Sequence, residues 1–194
     1  EVIDEVVVRG FRGSLKLALD AKREAVVARD SIMAEDIADF PDSNLAEALQ
    51  RIPGIAISRV AGEGRNITVR GLDAKFTRVT MNDAMAQSLA AGSGGIQTNR
   101  SFDFNIFASE LFNRIDVYKS QSAEMEEGSL GATLALHSGR PFDYDPFTFA
   151  ANVQGSYNHH ASDTNPRFSG LVSYTNDERT FGALLSVAYS ERSI

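Results

Sequence analysis

Phe147-Thr148-Phe149-Ala150-Ala151-Asn152-Val153-Gln154-Gly155-Ser156-Tyr157 alternates apolar or aromatic residues with small polar ones. Phe147, Phe149, Ala151, Val153, Gly155 and Tyr157 fall on one side, and Thr148, Ala150, Asn152, Gln154, Ser156 and Asn158 on the other. The pattern recurs with Phe168, Gly170, Val172 and Tyr174, and again with Phe181, Ala183, Leu185, Val187 and Tyr189. Strict alternation is the signature of a strand with one apolar face. Each run matches the roughly 9–11 residues that a tilted strand needs to cross a bilayer. Aromatics stand near both ends of the apolar face, as they do in an outer-membrane barrel. A soluble β-sandwich produces similar alternation and stays open as the alternative. Asn158–Pro166 reads as a long polar loop and Asn176–Arg179 as a tight turn, which is the barrel's alternation of outer loops and inner turns. Three strands cannot close, and an open edge in hydrocarbon leaves backbone groups unpaired, so these strands are expected to belong to a larger barrel.

Upstream of Pro141 the periods mix. Ser14–Arg23 carries Leu15, Ala18, Leu19 and Lys22 at helical spacing. Ser31 is positioned to cap a short helix with Met33, Ile37 and Phe40 on one face, ended by Pro41. Ser43 or Asn44 caps a further helix whose Leu45, Ala48, Leu49 and Ile52 share a face, and Pro53-Gly54 stops it. Strands are expected at Ile55–Arg59, Asn66–Arg70, Arg78–Asn82, Arg114–Lys119 and Ala132–Leu136. This mixture specifies a small α+β domain ending near Pro141. The Gly-rich loop Ala90–Gly95 opens a polar stretch running to Arg100, too long for a routine connection and therefore read as a binding loop. At the start of the chain, Ile3-Asp4-Glu5-Val6-Val7-Val8-Arg9-Gly10 has strand propensity but too few neighbours for a sheet. It reads as a strand offered to another protein.

Composition removes several function classes. The chain has 194 residues, 43% hydrophobic and 23% charged, with a net charge of -7 and no cysteine. An acidic balance without a basic stripe argues against nucleic acid, and the lack of cysteine removes disulfides, thiolate metal sites and cysteine catalysis. No run of about 18 apolar residues is present, so no transmembrane helix is expected. Gly62-Glu63-Gly64 lacks the Lys-Ser/Thr of a phosphate loop and the third glycine of a dinucleotide turn. His159-His160 is rejected as a metal site because adjacent histidines seldom converge on one ion. No cofactor, no metal and no enzymatic activity are expected.

Taken together, these motifs resemble the N-terminal part of a TonB-dependent outer-membrane receptor. Ile3–Arg9 is similar to the TonB box, and Leu45-Ala46-Glu47-Ala48-Leu49-Gln50-Arg51-Ile52-Pro53-Gly54-Ile55 to the plug helix that ends in Pro-Gly. Ile67-Thr68-Val69-Arg70-Gly71 and Arg114-Ile115-Asp116-Val117-Tyr118-Lys119 resemble plug strands. Arg78-Val79-Thr80-Met81-Asn82-Asp83 departs from the usual Asp-Gly ending, which leaves that turn's shape open. Glu127-Gly128-Ser129-Leu130-Gly131-Ala132 and Ser138-Gly139-Arg140-Pro141-Phe142 resemble the end of the plug, in a subfamily often associated with oligosaccharide uptake.

The resemblance implies an α+β plug inside a transmembrane antiparallel β-barrel of about 22 strands, of which about three are present here. Residues 1–13 would be the box and a flexible N-terminal segment, 14–141 the plug, and 142–194 the first barrel strands. It implies active transport of a scarce nutrient across the bacterial outer membrane, with the N-terminus in the periplasm and the barrel in outer-membrane lipid. Asp4, Glu5, Val6, Val7 and Val8 would pair with TonB, driven by its inner-membrane energising complex. Arg70 and Arg114 would clamp plug to barrel glutamates, since a buried guanidinium needs acidic acceptors. Gln87, Ser88, Gln97, Asn99 and Arg100 would bind the small-molecule ligand, an oligosaccharide. A ferric-siderophore receptor is the alternative within the family. A signal-transducing receptor, with the same plug and barrel and a further domain ahead of the box, and a soluble β-rich binding protein are the rivals of other functional classes.

Overall fold

The computed structural model describes residues 11–33, 45–60, 63–86, 101–104, 111–158 and 163–190. In chain order these form helix α1 (Phe11–Glu24), strand β1 (Arg29–Met33), helix α2 (Leu45–Leu49), β2 (Ile55–Val60), β3 (Glu63–Val69), β4 (Thr77–Met81), β5 (Ala84–Met85), β6 (Phe112–Tyr118) and β7 (Ala132–Ser138). Three longer strands follow: β8 (Phe147–Asn158), β9 (Asp163–Thr175) and β10 (Gly182–Ser190). All five strands expected upstream of Pro141 are present, β3 and β7 running longer than the pattern indicated.

The first unit is built on a five-stranded sheet in the order β1-β6-β7-β4-β5, parallel only between β4 and β7. Strand alternation sends Ile32, Val79, Ile115, Val117, Leu134 and Leu136 to one face, where all are buried. The register sets Ile115 opposite both Ile32 and Leu136, and Leu134 opposite both Val117 and Val79, so the apolar positions lie side by side across four strands. Helix α2 and the β2–β3 hairpin complete the core, contributing Leu45, Leu49, Ile52, Ile55, Ile67 and Val69. Full burial of each such side chain contributes about 1.5–3 kcal/mol. After α2, Gly54 turns the chain at φ 84, a conformation glycine adopts without a Cβ penalty.

The turn after β4 is now defined. Met81 pairs with Ala84, which leaves Asn82-Asp83 as a two-residue hairpin loop with φ 48 and 68. Asn and Asp tolerate this left-handed region better than other non-glycine residues, so they serve where Asp-Gly was anticipated. Asn82 is also held by its neighbour strand: its Oδ1 accepts from Ser138 N at 3.0 Å and its Nδ2 donates to Ser138 Oγ at 2.9 Å.

Two expectations are corrected. Ser31 does not cap a helix containing Met33. Arg29–Met33 is a strand, with Ile32 opposite Ile115 and the Ser31 hydroxyl donating to Asp116. Pairing with β6 overrides the local helical pattern, as tertiary context commonly does. Ile37, Phe40 and the caps Ser43 and Asn44 lie outside the described residues. Nor is Asn158–Pro166 one long loop. The β8–β9 ladder continues to Asn158 opposite Asp163, so polar residues expected in a loop extend the strands.

In the second unit β8, β9 and β10 form an antiparallel sheet in sequence order. Phe147 stands opposite Tyr174, Phe149 and Leu185 opposite Val172, and Val153 and Tyr189 opposite Phe168, making one continuous apolar face. These side chains are exposed, Phe149 at 67% and Val153 at 78%. On the opposite face Ser169, Ser173 and Thr175 are buried. A 3-10 turn at Pro141–Asp143 joins the two units. Thr175 Oγ1 donates to Pro141 O at 3.0 Å, and a Cβ on Gly182 would meet Pro141 Cβ at 2.7 Å, so only glycine fits there without displacement.

Candidate functional site

The alternation that buries Ile115 and Leu134 turns polar residues to the sheet's other face. Arg29 from β1, Arg78 and Thr80 from β4, Tyr118 from β6, and Thr133 and His137 from β7 line a cavity of about 720 Å³, closed in part by residues 25–27 and 122–126.

Asp116 is the centre of this face and is fully buried. Its Oδ1 accepts from Arg29 Nη2 at 2.7 Å and from Ser31 Oγ at 2.6 Å. Its Oδ2 lies 3.0 Å from His137 Nε2 and 3.2 Å from Arg114 Nε. Burial by itself raises a carboxyl pKa, but the hydrogen bonds from His137, Ser31 and Arg29 and the charge of Arg114 outweigh it and bring Asp116 down to about 2. The group is therefore ionised, an acceptor only, and His137 Nε2 must donate to it. With both oxygens occupied and no solvent access, this carboxylate cannot serve as a general base. It ties β1, β6 and β7 together.

A second cationic side chain fixes the loop between β6 and β7. Arg78 is 8% exposed, and its Nη1 donates to the carbonyl oxygens of Glu126 and Glu127. Its Nη2 stands against the exposed Glu126 carboxylate, while its Nε has no hydrogen-bond partner among the described residues.

Arg70 follows β3 in a left-handed conformation at φ 53, is exposed, and donates through Nη1 to Lys119 O at 2.9 Å. Arg114 lies near the start of β6, its side chain 42% exposed beside Asp116. The two expected clamp residues are not brought together. The residue whose carbonyl Arg70 meets is Lys119, just past the end of β6 and five positions beyond Arg114, or about 17 Å at the rise of a strand. Lys119 Nζ in turn donates to Asp30 and, at 2.6 Å, to Pro53 O.

Asp4, Glu5, Val6, Val7 and Val8 lie outside the described residues, as do Gln87, Ser88, Gln97, Asn99, Arg100 and His159-His160. Both anchors of the expected binding loop are described. Ala86 N donates to Val79 O at 2.9 Å, and Ser101–Phe104 packs on the β2–β3 hairpin through Phe104 N to Arg65 O at 3.0 Å. Phe102 and Phe104 meet edge-on, 4.8 Å between ring centres, inside the core. A long polar connection is thus anchored to the five-stranded sheet at one end and to the β2–β3 hairpin at the other. Among the described residues, no group of three or more His, Asp or Glu is placed to hold a metal ion. No helix of the described residues is long and apolar enough to cross a membrane.

Asp116, Arg29 and His137 were not singled out as site residues from sequence, and Ser31 was read only as a helix cap. A signal existed for Asp116, the charged residue alternating with Ile115 and Val117 in an otherwise apolar strand. None existed for its partners, which come from distant strands.

Residues 21–133 match the family model described as TonB-dependent Receptor Plug Domain. No curated protein matches the chain. Among solved structures, the ferric citrate transporter FecA in its unliganded form is 25% identical with a TM-score of 0.65, covering 89% of this chain and 26% of its own. The siderophore receptor PirA from Acinetobacter baumannii is 17% identical with a TM-score of 0.66, covering 89% and 26%. A mutant of the ferric enterobactin receptor PfeA from Pseudomonas aeruginosa is 20% identical with a TM-score of 0.62, covering 83% and 24%. The chain thus spans about a quarter of the length of the structures it matches.

Proposed function

This chain belongs to the TonB-dependent receptor plug-domain family, and on that premise we propose that the protein takes a small nutrient across the bacterial outer membrane with energy delivered through TonB. The observation that carries the reading is the direct connection of two units through Pro141–Asp143: a polar-faced plug sheet, and a sheet whose apolar face is exposed as a lipid-facing barrel wall would be. The TonB box and the segment after it occupy residues 1–10, and the flexible segment expected to run through residue 13 is corrected at its end, because Phe11–Gly13 already forms the first turn of α1. Residues 14–141 are the plug, and 142–194 the first barrel strands. TonB adds a strand along Asp4–Val8, which places the N-terminus in the periplasm. The protein is a transporter and not an enzyme.

For the cargo, the named functions of FecA, PirA and PfeA favour a ferric chelate. The oligosaccharide reading rests on the Glu127–Ala132 and Ser138–Phe142 signatures. Gln87, Ser88, Gln97, Asn99 and Arg100 have hydrogen-bonding side chains suited to either. Arg70 and Arg114 offer partly exposed guanidinium groups to acidic residues of the barrel lumen.

The test is Val7→Pro against Val7→Ala in the full-length receptor, measured with radiolabelled ferric citrate and a radiolabelled maltooligosaccharide. Proline removes a backbone donor and fixes φ, which breaks a ladder. The proline variant is expected to lose energy-dependent uptake of whichever probe is carried while retaining its surface binding, and the alanine variant to remain close to wild type. Full uptake by the proline variant overturns the reading.

A further inference from the structure

Helix α1 is attached to the plug by very little buried surface. Of its residues with described side chains only Ser14 is buried, while Leu15, Leu17 and Leu19 are 46, 57 and 45% exposed. An isolated helix of 14 residues is marginal in water and needs an anchor. One anchor is electrostatic: Lys22 Nζ reaches Asp30 Oδ1 at 2.6 Å. Asp30 is 17% exposed at the side chain, and its other oxygen, Oδ2, takes the ammonium of Lys119, 9% exposed.

Lys119 is itself a junction. Its Nζ donates to Pro53 O at the turn between α2 and β2, its N donates to Ala28 O at 2.7 Å, and its O accepts from Arg70. The Ala28 amide donates to Ser120 Oγ at 2.9 Å, which pins the connection between α1 and β1 to the end of β6. One carboxylate thus lies between the N-terminal helix and the corner where β3, β6 and the α2–β2 turn converge. Burial opposes the charge on Asp30, yet the bonds from Lys119 and Lys22 hold its pKa below the usual value, so both oxygens stay available to the two lysines.

We propose that Asp30 is a mechanical coupler: by bridging Lys22 and Lys119 it makes α1 and the Arg70–Lys119 corner yield together, and not one after the other, when the N-terminus is pulled. This rests on the transport reading only for its use, since tension would enter through the segment ahead of α1. Without the bridge, pulling would strip the helix and leave the plug sheet in place. With it, the first element to give is the sheet edge β1 together with β6's end, the corner that carries Arg70. Spatial continuity alone does not establish coupling, so the bridge has to be broken and the response measured.

The experiment is force spectroscopy on the full-length receptor reconstituted in a supported bilayer and pulled by its N-terminus, with neither cargo nor TonB present. In wild type the release of α1 is expected to merge with the first sheet rupture. In Asp30→Asn and in Lys22→Met a separate earlier step is expected at lower force. Its length is that of 14 residues passing from helix to extended chain, a gain of about 27 Å. Arg23→Met breaks only a pair with Asp20 inside the helix and is expected to behave as wild type. Traces of Lys22→Met identical to wild type, or an early step already present in wild type, overturn the coupler. Lys22→Met decides if Asp30→Asn fails to assemble. A negative result here leaves the transport reading untouched, because that stands or falls on the uptake test with Val7→Pro.

Discussion

Replacing Asp116 with Asn removes the single negative charge toward which Arg29, Arg114 and His137 converge, while preserving size. The amide puts an NH2 group in place of an oxygen that faces two donors, so at least one donor loses its acceptor. Breaking a buried ion pair by altering one partner costs about 3–5 kcal/mol, and the partial exposure of Arg29 and Arg114, 16 and 42% at the side chain, puts this site at or below the lower end. Linkage gives an independent figure. A folded pKa of about 2 against 3.8 in the unfolded chain corresponds to about 2 kcal/mol of stability. Because the folded value is the lower one, this stabilisation is fully present above pH 3.8 and is lost as the pH falls toward about 2. The assay is hydrogen exchange on the full-length receptor in detergent, following the amides of β1, β6 and β7 at pH 7. A loss of about 2–3 kcal/mol accelerates exchange by about 30- to 150-fold where local opening governs it. Peptides of β8–β10 are expected to be unchanged and serve as the internal control. In a series from pH 5 to pH 2.5, wild-type protection of β1 and β6 is expected to decline more steeply than that of the variant, which has no carboxyl to protonate. Equal protection in both proteins at pH 7 would refute the assignment of Asp116 as the charge that holds these strands.

On the proposed clamp, Arg70→Ala and Arg114→Ala are each expected to increase passage of bulky antibiotics through the outer membrane, by leaving the acidic barrel partner proposed for each unpaired; wild-type permeability in the double variant removes the clamp. Gly182→Val forces a side chain onto Pro141 and is expected to cost about 1–3 kcal/mol, read as a lower yield of heat-modifiable folded receptor. Substituting Gln97, Asn99 and Arg100 together is expected to weaken cargo binding at least tenfold without lowering assembled receptor, because the anchors at Ala86 and Ser101–Phe104 are untouched. Unchanged affinity for the carried probe would place the binding groups elsewhere in the protein.

The sequence by itself determined the elements whose signals are local. The runs in β8, β9 and β10 were legible because alternation writes one face of a strand directly into neighbouring residues. Helix α2 was legible because Leu45, Ala48 and Leu49 repeat at helical spacing ahead of Pro53-Gly54. Only the tertiary structure decided what depends on distant pairing. Arg29–Met33 carries too little alternation to announce a strand, and it becomes one because β6 supplies the ladder. The polar residues from Asn158 to Pro166 look like loop until the β8–β9 register extends through them. The charge network around Asp116 draws on β1, β6 and β7, made neighbours by a sheet order that no local pattern encodes. Arg70 and Arg114 share motif character in the chain, yet Arg70, just past β3, meets the Lys119 carbonyl beyond one end of β6 while Arg114 lies near the other. Local periodicity specifies which residues form a strand and which face they share; the order of strands in the sheet, set by burial across the whole core, decides which charges meet.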